Sequence, residues 1–130
     1  MITHIDISGV GNFHPEEIIL KYVRKKIGAL DRLAPRHARK SIRATVKIAQ
    51  INQPRGNKYL VEALLHLPGK ILNAKDSTMN AMAATDIVET KLANQLRKYK
   101  DETLLHVGNR RLLERFKHSF ARESQLGNLD

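Results

Sequence analysis

Lysine and arginine side chains recur in two segments of this sequence at spacings that would place several of them on one side of an α-helix. A third basic cluster lies between these two segments. Ammonium and guanidinium groups form charge-assisted hydrogen bonds with phosphate, so such clusters are typical of proteins that bind a polyanion. The candidate RNA-binding residues are Arg24, Lys25, Lys26, Arg36, Arg39, Lys40, Lys91, Arg97, Lys98 and Lys100.

The residue types that usually carry catalysis show no comparable pattern. Cysteine is absent, which removes thiolate nucleophiles, thiolate metal ligands and disulfides. The six histidines form no HExxH motif, and we expect His4 and His66 to face solvent on strands rather than to bind zinc. The glycines at 9–11 match neither phosphate-loop motif and predict a turn. We therefore expect no metal, no cofactor, no small-molecule substrate and no enzyme.

The overall charge supports a polyanionic partner. Lys and Arg number 23 against 13 Asp and Glu, which gives a net charge of +10 over 130 residues. Such an excess favours nucleic acid first and an anionic membrane second. No apolar run has the length of a membrane span or a secretory signal, so we expect a cytoplasmic protein that does not enter membranes.

An apolar stripe predicts a long helix from Asp76 to Glu102, with Asp76, Ser77 or Thr78 as its N-cap. The stripe recurs every three or four residues and consists of Ala81, Ala84, Val88, Leu92, Leu96 and Tyr99. The cations near its end, off the stripe, also suit the negative pole of the helix dipole.

A second stripe predicts an earlier helix that begins at Pro15 and ends at Ala34, the residue before Pro35. Its apolar side consists of Ile19, Val23, Ile27, Leu30 and Ala34. The basic stretch 36–40 is predicted to be a loop. Lys26 lies at the margin of the stripe, whereas Arg24 and Lys25 face away from it.

Alternating or apolar segments predict four strands, at about 2–8, 41–50, 58–67 and 70–75, with a tight Pro68-Gly69 turn before the last. The predicted fold class is α+β, with the order β-α-β-β-β-α. A four-stranded sheet, mostly antiparallel from the second strand onward, would carry both helices on one face. We expect the other face to be polar and solvated.

The chain divides into a folded domain at residues 1–104 and a basic C-terminal tail at 105–130. The tail has too few apolar residues for a core of its own. We expect it to be flexible or to hold one short helix.

Two helices on one sheet face would bring the cationic side chains together as a continuous ridge. The alternative interpretation is an ordinary solvated face, although few carboxylates are interspersed in the second half of the long helix. Aromatic residues are scarce, which argues against stacking of single-stranded bases. Structured RNA, recognised by its shape and phosphates, fits better.

Two segments of the long helix resemble a known family. The run Asn80 to Asp86, followed by the Lys-Leu-x-x-Gln-Leu-x-Lys-x-Lys-Asp pattern of Lys91 to Asp101, resembles the second helix of the ribosome hibernation promoting factors, also called the ribosome-associated inhibitor or sigma-factor modulation family. Ile5 to Gly9 is similar to the family's first strand and turn, and the similarity covers residues 2–104. Asn80 and Met82 depart from the family pattern, which has an acid and a tyrosine there.

The resemblance implies a fold like that of double-stranded-RNA-binding domains, in a short-form member without the domain that pairs ribosomes. It implies binding to ribosomal RNA of the small subunit near the decoding region, where the protein would block access of mRNA and tRNA. It implies inhibition of translation in stress or stationary phase. We expect the free protein to be a monomer. A structured-RNA-binding module without preference for the ribosome is the alternative, and an enzyme with a dispersed site is the least favoured one. A deep pocket lined with carboxylates or histidines would support the enzyme.

Overall fold

The computed structural model describes the backbone of residues 1–119 and the side chains of residues 1–103. Four strands form one sheet in the order β1-β2-β3-β4: β1 (His4–Gly9), β2 (Arg43–Ile51), β3 (Lys58–Leu67) and β4 (Lys70–Thr78). β1 pairs with β2 in parallel, and the other two pairs are antiparallel. The parallel pair needs a crossover connection, which begins with α1 (Glu17–Gly28). The predicted α+β class, the four-stranded sheet and its antiparallel pairing from the second strand onward are confirmed.

One face of the sheet forms the hydrophobic core with α1 and with α3 (Ala81–Ser119). Alternate residues of β2, β3 and β4 are buried on this face, as their period of two predicted. Every residue of the predicted stripe on the long helix is also buried. The largest fully buried side chains include Ile27, Ile48, Leu65, Leu92, Leu96, Val23, Val46, Val61 and Val88.

The helix after β1 changes type before it ends. α1 stops at Gly28, and a 3-10 helix (Ala29–Leu33) continues to Ala34, whose extended backbone is the conformation expected before proline. A side chain at Gly28 would meet Met1, because a Cβ there would lie 2.8 Å from the Met1 Cε. Glycine therefore lets the N-terminal residues pack across the end of α1, where the Ile2 N–H donates to the Gly28 carbonyl at 3.0 Å.

The basic stretch after Pro35 was wrongly predicted to be a loop. Arg36 to Arg39 form a short helix, α2 (Arg36–Arg39), and the Ala38 N–H donates to the Pro35 carbonyl. Proline is well suited to a position next to a helix start, because its missing N–H would have no partner there.

The predicted start of the long helix was also wrong. Asp76, Ser77 and Thr78 belong to β4, where they pair with β3, because the sheet hydrogen bonds outweigh the local preference of these residues for a cap. Asn80 takes the capping role, and its Oδ1 accepts the Met82 N–H at 2.8 Å.

The long helix continues past its predicted end. α3 is a single helix of 39 residues, and residues 103–119 contain no proline that would interrupt it. A domain boundary at 104 stays a prediction. The predicted tail at 105–130 is helical as far as Ser119, and residues 120–130 lie outside the described part of the chain.

The sheet face that the helices leave uncovered, called the open face here, is less polar than predicted. Leu60 and Leu64 of β3 lie on it half-buried, and Ile71 of β4 is 59% exposed. Polar residues occupy much of the remaining surface, so the open face combines apolar and charged groups.

Candidate nucleic-acid interface

The seam between α1 and α3 holds one of the predicted cations. The Tyr22 hydroxyl donates to Asp86 Oδ1 at 2.6 Å, and the Lys26 ammonium lies 3.7 Å from the same oxygen. Lys26 Nζ also lies 5.6 Å from the centre of the Tyr22 ring, within the range of a cation–π contact. Asp86 therefore compensates the charge of Lys26, which makes Lys26 less available to an external phosphate than a free lysine.

The same contact changes the acidity of Tyr22. Its hydrogen bond to Asp86 raises the pKa of the Tyr22 phenol above its usual value, and partial burial and the charges of Asp86 and Glu89 add to this effect. The carboxylate stabilises the neutral phenol as a donor and would repel a phenolate. Tyr22 is therefore a stable hydrogen-bond donor that joins the two helices.

The outer edge of the sheet is covered by side chains of α3. The Gln95 amide accepts the Asn73 N–H at 3.4 Å and donates to the Asn73 carbonyl at 2.8 Å. One turn earlier, the Lys91 ammonium donates to the Lys75 carbonyl at 3.1 Å. β4 is an edge strand, whose backbone groups would otherwise be open to pairing with another chain. Lys91 thus has a structural contact in addition to its predicted role in RNA binding.

Arg39 is likewise engaged by the protein itself. Its Nε donates to the Ala34 carbonyl at 3.1 Å, and its Nη2 donates to the Arg32 carbonyl at 3.2 Å. These bonds tie α2 to the preceding 3-10 helix, and the Arg39 side chain is half-buried. Arg39 therefore positions its exposed neighbours Arg36 and Lys40.

The other predicted cations are available at the surface. Arg97 is exposed and donates to Asn94 Oδ1 at 3.2 Å, one turn away on its own helix, and Lys100 is half-exposed. Within residues 1–103, neither Lys25 nor Lys98 makes a side-chain hydrogen bond or ion pair. The exposed members of the predicted set are Arg24, Lys25, Arg36, Lys40, Lys91, Arg97 and Lys98.

The exposed cations do not form a single row. Asp86 accepts a hydrogen bond from Tyr22 of α1, so it lies on the flank of α3 that faces α1. Arg97 lies about three helical turns after Asp86 and is therefore on the same flank. Lys98 follows Gln95 by three residues, which places it on the flank towards β4. The predicted continuous ridge is therefore a broader basic surface over the helical layer, divided at the seam by Asp86.

A cleft on the open face was not predicted from the sequence. It has a volume of about 560 Å³, and its walls come from three adjacent strands and the segments beside them. The strand alternation had placed His4 and His66 on this face, but not next to the same residue. The lining residues are His4, Asp6, Ser41, Arg43, Thr45, His66, Leu67 and Pro68.

Other kinds of site find little support in the described residues. No group of three or more His, Cys, Asp or Glu side chains there is arranged to hold a metal ion. The helices of the same part of the chain also lack an apolar segment long enough to cross a membrane.

Comparison with protein families gives a match over residues 5–103, to the family described as Sigma 54 modulation protein / S30EA ribosomal protein. The ribosome hibernation promotion factor of Deinococcus radiodurans is 32% identical over 89 residues, which cover 68% of this chain and 45% of that protein. The chain therefore spans about half the length of this curated relative.

Two solved structures have a similar fold. The N-terminal domain of Protein Y from Thermus thermophilus superimposes with a TM-score of 0.62 at 24% identity, and a ribosomal subunit interface protein from Coxiella burnetii superimposes with a TM-score of 0.61 at 28% identity. Each comparison covers 76% of this chain and 99% of the other. These likenesses support the four-stranded α+β architecture.

Proposed function

Because the chain belongs to the Sigma 54 modulation protein / S30EA ribosomal protein family, that of the ribosome hibernation promoting factors, we propose that it acts as a non-enzymatic ribosome hibernation factor. It binds the small ribosomal subunit near the decoding region, blocks access of mRNA and tRNA, and inhibits translation under stress or in stationary phase. The proposed location is the cytoplasm, and the free protein is proposed to be a monomer.

The observation that carries this proposal, beside the family match, is the basic surface of the helical layer. Its exposed cations include Lys25 and Lys98, which have no protein partner within residues 1–103. Cations without internal partners can neutralise phosphates at little cost, because no ion pair of the protein has to be broken first. The spread of the surface over two helices suits the backbone of a folded RNA better than a single extended strand.

An enzymatic role receives little support from the open-face cleft, although histidines and a carboxylate line it. The cleft is open to solvent, whereas catalytic sites usually exclude water. Phosphate recognition by positive charge does not need a closed site. We therefore retain the binding function for the chain.

Sedimentation tests the proposal and distinguishes it from a general structured-RNA-binding module. Lysate from stationary cells that contain the tagged chain is separated on a sucrose gradient at low and at moderate salt. We expect the chain to comigrate with particles that contain the small subunit, and to be released as salt rises. Recovery in the low-molecular-weight fraction at both salt concentrations, with retained binding to duplex RNA, would instead support the general module.

A matched measurement with purified components adds the functional readout. Addition of the chain to a translation reaction should lower protein synthesis, and prior occupation of the small subunit by mRNA and initiator tRNA should weaken its binding. Binding that is indifferent to both ligands would contradict the proposed site.

A further inference from the structure

The cleft on the open face is built around one row of the sheet. His4 of β1 lies opposite Arg43 of β2, and Arg43 lies opposite His66 of β3. Directly opposed side chains of an antiparallel pair, such as Arg43 and His66, have Cβ atoms about 4.5–5.5 Å apart, and all three groups line the same cleft. Arg43 occupies the centre of this row, with one imidazole on each side.

The side chains of this row have hydrogen-bonding capacity to spare. Within the described residues, the side chains of Arg43 and His66 make no hydrogen bond or ion pair. Thr3 Oγ1 lies 3.2 Å from Nδ1 of His4, which leaves Nε2 of that ring for another partner. Arginine offers a planar fork of N–H donors, and an imidazole offers at least one donor in its protonated form or in the appropriate tautomer.

Two hydroxyl groups and an apolar wall complete the cleft. Ser41 and Thr45 flank Arg43 along the chain, and both line the cavity. Leu67 and Pro68 form its apolar side. The volume of about 560 Å³ is much larger than a phosphate group needs and has room for an attached nucleoside.

We propose that the cleft formed by His4, Arg43 and His66 on the open face binds a phosphate group, presented by a nucleotide or by RNA. The Arg43 guanidinium contacts two phosphate oxygens, and the imidazoles donate from either side. This site lies on the opposite face of the sheet from the helical layer, and it does not depend on the proposed ribosome binding.

Asp6 distinguishes binding in this cleft from a general attraction of phosphate to basic surfaces. Its carboxylate lines the same cleft and lies opposite Thr45, in the next row of the open face. A carboxylate repels phosphate, so it should weaken binding in the native chain. Neutralising Asp6 should therefore tighten phosphate binding, whereas neutralising Arg43 should weaken it.

The test uses the full chain labelled with 15N, titrated in chloride buffer with inorganic phosphate, with adenosine 5′-monophosphate and with a short RNA duplex. Arg43→Gln is compared with Lys47→Gln, which removes the same charge from the same face of β2. We expect saturable shifts at residues around the cleft, and Kd should rise about tenfold or more in Arg43→Gln, as for loss of a charge-assisted bond. Lys47→Gln should change Kd by no more than about twofold, because solvent and salt screen the more distant charge.

The three probes identify the source of the phosphate. Tighter binding of the monophosphate than of inorganic phosphate indicates a nucleotide, whereas shifts of the same residues by the duplex, without a preference for the monophosphate, indicate RNA. Shifts that do not saturate, or equal weakening by Arg43→Gln and Lys47→Gln, would overturn the proposal. Asp6→Asn keeps Arg43 intact, and a failure of this variant to bind more tightly would also contradict the site.

Discussion

The side-chain amide of Gln95 on α3 pairs with both backbone groups of Asn73, at 2.8 Å to its carbonyl and 3.4 Å to its N–H. This contact imitates the hydrogen bonding that a further strand would provide to β4. The Lys91 ammonium donates to the carbonyl of Lys75, two residues further along the exposed edge of β4. α3 therefore covers the edge of the sheet as well as its core face. Two residues of the Lys-Leu-x-x-Gln-Leu pattern therefore have a structural explanation that is independent of RNA.

Replacing Gln95 should weaken the edge of the sheet. Gln95→Ala removes two hydrogen bonds, and we expect the free energy of unfolding to fall by about 1–2 kcal/mol. Amide hydrogen exchange at Asn73 should become faster than in the wild type. Asn94→Ala is the control, because within residues 1–103 the Asn94 side chain makes one hydrogen bond, which it accepts from Arg97 on its own helix. Equal effects of the two substitutions would show that the Gln95 contact adds nothing to stability.

Substitution of Leu92 tests the packing of α3 on the sheet. Leu92 is fully buried, so Leu92→Ala should lower the free energy of unfolding by about 2–5 kcal/mol through lost burial and a residual cavity. Leu92→Met, which conserves volume, should cost less than about 1.5 kcal/mol. Denaturant melts of both variants give the comparison, and a near-neutral alanine variant would contradict the observed helix packing.

Removal of Asp86 should lower the pKa of Tyr22 towards its ordinary value. The hydrogen bond to Asp86 is the largest cause of the raised pKa, and the charge of Glu89 is a smaller one. Phenolate absorbance during an alkaline titration should therefore shift more in Asp86→Ala than in Glu89→Ala. Tyr22→Phe identifies the absorbance that belongs to Tyr22.

The same contact predicts how stability depends on alkaline pH. A group whose pKa is higher in the folded state contributes its full stabilisation below the pKa of the unfolded chain, about 10 for tyrosine. That contribution should disappear as the pH rises through the folded-state pKa of Tyr22. Unfolding measured at several pH values should therefore show an alkaline decline that is smaller in Tyr22→Phe. The same decline in both proteins would refute a contribution from this contact.

Charge reversal tests the basic surface of the helical layer. The double variant Lys25→Glu and Lys98→Glu should keep the melting temperature, since both side chains are exposed, but should lose ribosome association at moderate salt. The control double variant, Lys47→Glu and Arg55→Glu, makes the same change in net charge on β2 and on the β2–β3 loop, at residues that do not belong to the helices. Loss of association in both variants to the same degree would indicate a general charge effect instead of a specific surface.

The amino-acid sequence by itself determined which side of α1, of α3 and of strands β2 to β4 is buried. Val88, Leu92 and Leu96 recur at the helical period, and alternate residues of β2 recur at the strand period, so local geometry alone assigns them to the core. It also determined the basic character of the protein and the family to which it belongs. These properties depend on residue type and spacing along the chain, which are visible without knowledge of distant contacts.

Only the tertiary structure decided which side chains meet. Alternation placed His4, Arg43 and His66 on the open face, but the register that aligns them depends on pairing between three separate strands. Long-range pairing also extended β4 over the residues expected to cap α3. Tertiary packing likewise joined Lys26 to Asp86, so Lys26 is less available to phosphate than other lysines on the helices. Periodicity fixes the direction of a side chain, whereas its partner depends on which elements pack together.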